Sequence, residues 1–136
     1  MARLIGVDLG TRRIGIALSD SDETVATPYL ALPRTSDEQD TRAIAEISRA
    51  EKARTVVLGY PITLAGHVED AARMVESFAA KLREAGMRVR LWDERLTTAE
   101  AEKRLREAGV KGKRRRSMID KAAAAIMLQA YLDSKK

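Results

Sequence analysis

The sequence predicts an α/β fold: a five-stranded mixed sheet, an antiparallel meander of three strands followed by two parallel ones, with helices on both faces. Three observations carry this expectation. Apolar runs of strand length follow one another closely at residues 4–9, 14–18 and 24–32. Beyond residue 36, short apolar runs alternate with stretches whose apolar residues recur at helical period. The 136 residues, 45% hydrophobic, suffice for one packed domain spanning 1–136 and are too apolar for a disordered chain.

The first two runs flank Gly10-Thr11-Arg12-Arg13, which predicts a tight hairpin. Pro28 and Pro33 in the third run remove ladder donors, so that strand belongs at a sheet edge. Ser36 followed by Gln39 is a capping-box pattern, and Ile44, Ile47 and Ala50 carry a helix on to about Lys52. The wholly apolar Thr55-Val56-Val57-Leu58 reads as a buried central strand ended by Gly59-Tyr60-Pro61. Val68, Ala71, Ala72, Val75, Phe78, Ala79 and Leu82 form one helical stripe, closed by Gly86. Residues 88–92 are the fifth strand. Thr97 and Glu100 repeat the capping pattern ahead of a short helix that Gly109 ends, and Ser117 is expected to cap a last, alanine-rich helix reaching about Leu132.

Composition removes several chemistries. There is no cysteine and a single histidine, His67, so thiolate sites, cysteine nucleophiles and multi-histidine metal centres are excluded. Any metal must be held mainly by Asp and Glu oxygens, which suits Mg²⁺ or Mn²⁺. No apolar run approaches the roughly 20 residues of a membrane helix, and the N-terminus does not read as a secretory leader, so a cytoplasmic protein with no membrane partner is expected.

The net charge of +5 is local. Between residues 103 and 116, eight Lys and Arg stand against Glu107, a balance of +7 that leaves −2 for the rest of the chain. Its densest part is Lys111, Lys113, Arg114, Arg115 and Arg116, with Gly109 and Gly112 interspersed. This run is expected to be a mobile cationic loop. Such a loop suits a phosphate backbone, though a merely solvated segment has the same composition.

Three carboxylate positions stand out. Asp8 interrupts an apolar first strand, where a carboxylate is costly unless paired or bound to metal. Asp93-Glu94 follow the fifth strand at the end where open α/β sheets bind ligands. Asp120 lies in the first turn of the last helix. Singly, turn chemistry, a helix-entry charge and helix-dipole complementation account for them. Together the inferred topology can bring an Asp, a Glu and an Asp to one sheet edge. That is the donor set of a metal-dependent phosphodiesterase, in which cations lower the pKa of an attacking water and neutralise the leaving oxygen. Arg12, in the turn after Asp8, and Arg95, beside Glu94, are candidates for holding the nucleic acid's phosphates.

These residues resemble a known family. Residues 6–17, GVDLGTRRIGIA, are similar to the first two strands of the YqgF family in the RNase H-like superfamily. Val57-Leu58-Gly59-Tyr60-Pro61 resembles its Gly-x-Pro segment, and Asp93-Glu94-Arg95-Leu96-Thr97-Thr98 its most specific motif. Asp120-Lys121-Ala122 and Met127-Leu128-Gln129-Ala130-Tyr131-Leu132 resemble its last helix. The resemblance covers nearly the whole chain. It implies an RNase H-like fold, Asp8, Glu94 and Asp120 as metal ligands, and a nuclease acting on the 5′ end of pre-16S ribosomal RNA. It also implies a kinship with Holliday-junction resolvases, for which branched DNA is the substrate. The chain departs from the pattern at residues 62–67, ITLAGH, where relatives often carry Asn or Asp before Gly-Ser or Gly-Thr.

Two readings from other classes compete. Asp8-Leu9-Gly10-Thr11 also resembles the first phosphate loop of actin-like ATPases and sugar kinases, but those need a second such domain and a second Gly-rich loop, and none follows. A non-catalytic RNA-binding module on the same fold would be favoured by broken carboxylates, and all three are in place.

Overall fold

The computed structural model describes residues 3–10, 12–60, 68–93 and 112–135, with backbone only at 60, 68–71, 93 and 112–120. Strands β1 (Leu4–Leu9), β2 (Arg13–Ser19) and β3 (Ala26–Pro33) are followed by α1 (Asp37–Glu51), β4 (Thr55–Tyr60), α2 (Val68–Glu84), β5 (Arg88–Asp93) and α3 (Gly112–Ser134). The strands form one sheet in the order β3-β2-β1-β4-β5. β1, β2 and β3 pair antiparallel, whereas β4 pairs parallel with β1 and β5 parallel with β4. This is the mixed sheet the sequence predicts. The short helix expected between Thr97 and Gly109 lies outside the described residues.

Local chemistry explains the boundaries. Gly10 closes the hairpin by donating its N–H to the Arg13 carbonyl at 2.9 Å. A Cβ at Gly10 would sit 2.6 Å from that oxygen, so only glycine fits the turn. β3 is an edge strand, as its prolines require. Its register slips where Ile16 faces Leu30 and Ala17 faces Pro28, leaving Tyr29 as a bulge. The Ser36 hydroxyl accepts the Gln39 N–H at 3.1 Å, one half of the capping box, and stabilises α1 by about 1 kcal/mol. α1 ends at Lys52 in the left-handed region, φ 55°. α2 ends at Gly86, φ 93°, with the Met87 N–H returning to the Leu82 carbonyl at 3.1 Å.

Alternation along β1 divides the core in two. Ile5, Val7 and Leu9 face the layer of α1 and α2, packing with Ile14, Ile16, Val56, Leu58, Phe78 and Leu82. Leu4 faces the other layer with Ala17, Val57, Ala124, Met127 and Leu128, so α3 alone covers that side among the described helices. No described helix is long and apolar enough to cross a membrane.

Three expectations are corrected. β4 runs on to Tyr60, because its ladder with β5 continues through Gly59↔Trp92 and Tyr60↔Asp93. Asp93 is therefore the last residue of β5 rather than a residue beyond it. The last helix starts at Gly112, not at Ser117, so 113–116 are helical backbone and not a loop. The physical reason is propagation: Lys and Arg are nearly as good helix formers as Leu, and extending a packed helix backward is far cheaper than starting one.

Candidate active site at the carboxyl edge of the sheet

β1, β4 and β5 are parallel, so their C-terminal ends share one edge. Asp8 stands one residue before the end of β1, opposite Gly15, and is half-buried. It alternates with Leu4 and Gly6, which places it on the sheet face that α3 covers. β5 is two strands away from β1, about 10 Å at ordinary strand spacing, and ends at this same edge with Asp93.

α3 is registered on β1 through Gly6. A Cβ on Gly6 would lie 2.9 Å from Leu128 Cβ and 3.1 Å from the Ala124 carbonyl oxygen, so the helix lies directly on the strand backbone. The direction of α3 follows from its far end. Gln129 accepts the Ala26 N–H at 2.9 Å and donates to the Thr24 carbonyl at 3.0 Å, beside the start of β1. α3 therefore runs antiparallel to β1. Position 120 is one helical turn, about 6 Å, beyond Ala124 toward the Asp8 end, a step close to the two-residue advance from Gly6 to Asp8. The backbones bearing Asp8 and Asp120 thus converge, while Asp93 ends β5, two strands away, at the same edge.

The turn after Asp8 is clamped from behind. Arg12 is exposed, and its carbonyl accepts the Arg34 N–H at 2.8 Å. The Arg34 guanidinium reaches Asp37 at 2.8 Å and buried Asp40 at 3.3 Å, and lies over the Phe78 ring, 5.5 Å from its centroid. Asp40 also accepts the Thr35 hydroxyl at 2.7 Å. The clamp has no motif and escaped the sequence reading. Gly6 was legible in principle, since a glycine inside a strand signals a close backbone approach.

Of the predicted site residues, Asp8 and Arg12 are described in full, and Asp120, Lys113, Arg114, Arg115 and Arg116 by backbone within α3. Glu94, Arg95 and Lys111, the 61–67 segment and His67 lie outside the described residues. Among the described residues no three acidic or histidine side chains gather into a metal site, and the Glu94 and Asp120 side chains are not in that set.

This sheet order, with an Asp near the end of its central strand and a helix lying across that strand, defines an RNase H-like α/β protein. The fold is similar to RuvC of T. thermophilus in complex with a Holliday junction substrate, at TM-score 0.62 and 12% identity over 99% of this chain and 96% of that one. It is also similar to the Fowlpox virus resolvase, at TM-score 0.56 and 10% identity over 98% of each chain. The chain belongs to the RuvX family, described as Holliday junction resolvase, whose model matches residues 2–134; this is the YqgF family of the sequence resemblance. A relative from Desulforudis audaxviator (strain MP104C), named "Putative pre-16S rRNA nuclease", is 47% identical over 98% of this chain and 96% of its own length. One of the same name from Mycobacterium ulcerans (strain Agy99) is 42% identical over 98% and 80%.

Proposed function

We propose that this protein is a divalent-metal-dependent nuclease that hydrolyses phosphodiester bonds in maturing the 5′ end of pre-16S ribosomal RNA in the cytoplasm. The observation that carries the reading is Asp8, a half-buried carboxylate on the central strand, at the edge toward which α3 brings position 120. The carboxyl end of the strands is where open α/β sheets bind ligands, and a carboxylate there is placed to meet one. The donors fit a hard cation: Asp8, Glu94 and Asp120 supply only oxygen, and Mg²⁺ or Mn²⁺ prefers oxygen. When bound, the cation lowers the pKa of a water and neutralises charge on phosphorus and the leaving oxygen.

The chain's own groups then have distinct tasks. Asp8 is held by its pairing with Gly15 of β2, one residue beyond Val7↔Leu58, the last pair between β1 and β4. Gly10 and the Arg34–Asp40 clamp fix the turn that offers Arg12 to a phosphate. Arg95 contacts the scissile region, and Lys111, Lys113, Arg114, Arg115 and Arg116 hold the backbone beside the cut; the run offers no aromatic, Asn or Gln, so it positions the strand rather than specifying its sequence. The names of the relatives support ribosomal RNA as substrate, whereas the family description supports branched DNA as the second reading. The deciding experiment offers purified protein and Mn²⁺ a pre-16S fragment and a synthetic four-way junction side by side. Cleavage of the RNA is expected. Cleavage of the junction alone would establish the resolvase reading, and binding of either without cleavage would leave a non-catalytic module.

A further inference from the structure

At the opposite pole, where β4 and β5 begin, α1 and α2 both end around a surface cavity of about 570 Å³. Arg49, Lys52 and Arg54 line it, with Gly86 and Met87 on the other wall, and no carboxylate or aromatic residue contributes. The three cations are exposed, and none has an ion pair or side-chain hydrogen bond among the described residues. Arg3, at the same pole, is by contrast neutralised by Glu51 at 2.8 Å. Two helix C-termini carry about half a negative charge each, enough to offset one cation and not three.

The cradle is built rather than incidental. Lys52 is fixed in the left-handed region, and Ala53 behind it is fully buried, with its N–H on the Ser48 carbonyl at 2.9 Å. The bend between α1 and β4 therefore holds Lys52 and Arg54 at the cavity without further ordering. A second cavity of about 490 Å³ shares Ala45, Arg49 and Ala85 and adds Arg42 and Lys81, against Glu38 and Glu84. The two make one groove between α1 and α2 with a net positive lining.

We propose that this groove is a second contact for nucleic-acid backbone, separate from the cutting edge; it rests on the nuclease reading only for the class of its partner. No aromatic side chain lines the groove to sandwich a base and no carboxylate lines the first cavity to hold a ribose, so its recognition of a nucleotide or small phosphorylated metabolite rests mainly on charge. An extended polyanion is matched by spaced, unpaired cations on an open surface. The groove lies on the α1–α2 face, whereas Asp8 lies under α3 at the far end of the strands. One short duplex cannot engage both. The occupant is a second segment of a large folded nucleic acid, and the two contacts together raise affinity through effective concentration.

The test is stoichiometric. The full chain is titrated calorimetrically with a ten-base-pair RNA duplex in metal-free, low-salt buffer. Wild type is expected to bind two duplexes per chain, and the Arg49→Ala/Lys52→Ala/Arg54→Ala variant one. The lost event carries a salt dependence of up to about 2.7 units of slope for three phosphate contacts. All three residues are exposed, and circular dichroism verifies that the variant is folded. One duplex in wild type, or two in the variant, overturns the proposal. So does stoichiometric uptake of tripolyphosphate by the groove with no second duplex bound. Loss of the second duplex in the variant, in a protein that never cleaves with Mn²⁺, would instead refute the nuclease reading and leave the contact standing.

Discussion

Gly6→Ala tests the idea that α3 is registered on β1 by direct backbone contact. The new methyl would meet Leu128 Cβ at 2.9 Å and the Ala124 carbonyl oxygen at 3.1 Å. Both atoms are fixed to the helix backbone, so no rotamer change relieves the overlap. The helix must lift by about half an ångström or more to restore ordinary carbon–carbon contact. Overpacking of this kind costs about 1–3 kcal/mol, partly offset by the 0.4–1 kcal/mol or so that Gly→Ala gains through the unfolded chain. A net loss of about 1–2 kcal/mol lowers Tm by about 3–10 °C for a chain of this size. Because the same helix carries Asp120, cleavage should fall further than stability does, by about a hundredfold for a displacement near 1 Å. Urea and thermal denaturation measure the first effect, and Mn²⁺-dependent cleavage well below Tm the second. Leu128→Ala is the control: it leaves Cβ in place and so does not rescue Gly6→Ala. A variant as stable and as active as wild type would refute the contact.

Three further outcomes are expected. Asp8→Asn abolishes cleavage while circular dichroism and Tm remain near wild type, because the carboxamide keeps the shape and loses the charge; normal turnover by the folded variant would rule out the proposed mechanism. Replacing Arg114, Arg115 and Arg116 with Ala weakens binding about equally across sequences and makes the salt dependence shallower by up to about one unit per lost phosphate contact, as equilibrium binding at several salt concentrations would reveal. Hydrogen bonds from the Thr24 hydroxyl, then the Val25 and Thr24 N–H groups, lower the Asp20 carboxyl from 3.8 to about 2. A folded-state value below the unfolded one means that this stabilisation is complete above pH 3.8 and disappears as the pH falls through 2, so Asp20→Ala should be less stable than wild type in urea at pH 5 and indistinguishable from it below pH 2.

Much of the fold was legible because local and global signals agree. The Ser36–Gln39 pattern marked the start of α1, the 3.6-residue stripe through Val75, Phe78, Ala79 and Leu82 marked α2, and Pro28 and Pro33 marked an edge strand. Each is a short-range rule acting on its own segment. The misread parts depend on what a segment touches. Strand ends at Tyr60 and Asp93 are set by the ladder between β4 and β5, which neither strand's sequence records. The helical state of 113–116 is set by the packed helix downstream, against a glycine and a cationic first turn that suggest a loop. At the candidate site, the placement of Asp8 near the end of a central strand was legible as a charge in an apolar run. The Arg34–Asp40 clamp was not, because it joins a loop to a helix by side-chain geometry that follows no spacing.

The outer margins of the sheet bear on how the protein behaves in a crowded solution. Among the described residues neither β3 nor β5 has a strand on its outer side, and such an edge could recruit strands from neighbouring molecules and grow into aggregate. On one margin, β3 lacks the amide hydrogens of Pro28 and Pro33 and is bent at Tyr29, so an incoming strand finds neither a full set of donors nor a straight line to follow. On the other, β5 presents exposed Arg88 and Arg90, whose like charges repel a second copy laid against it. The two borders are defended by different means, one by geometry and one by charge. High salt would weaken the charged defence and leave the proline-bearing one intact. Self-association through the sheet would then begin at β5.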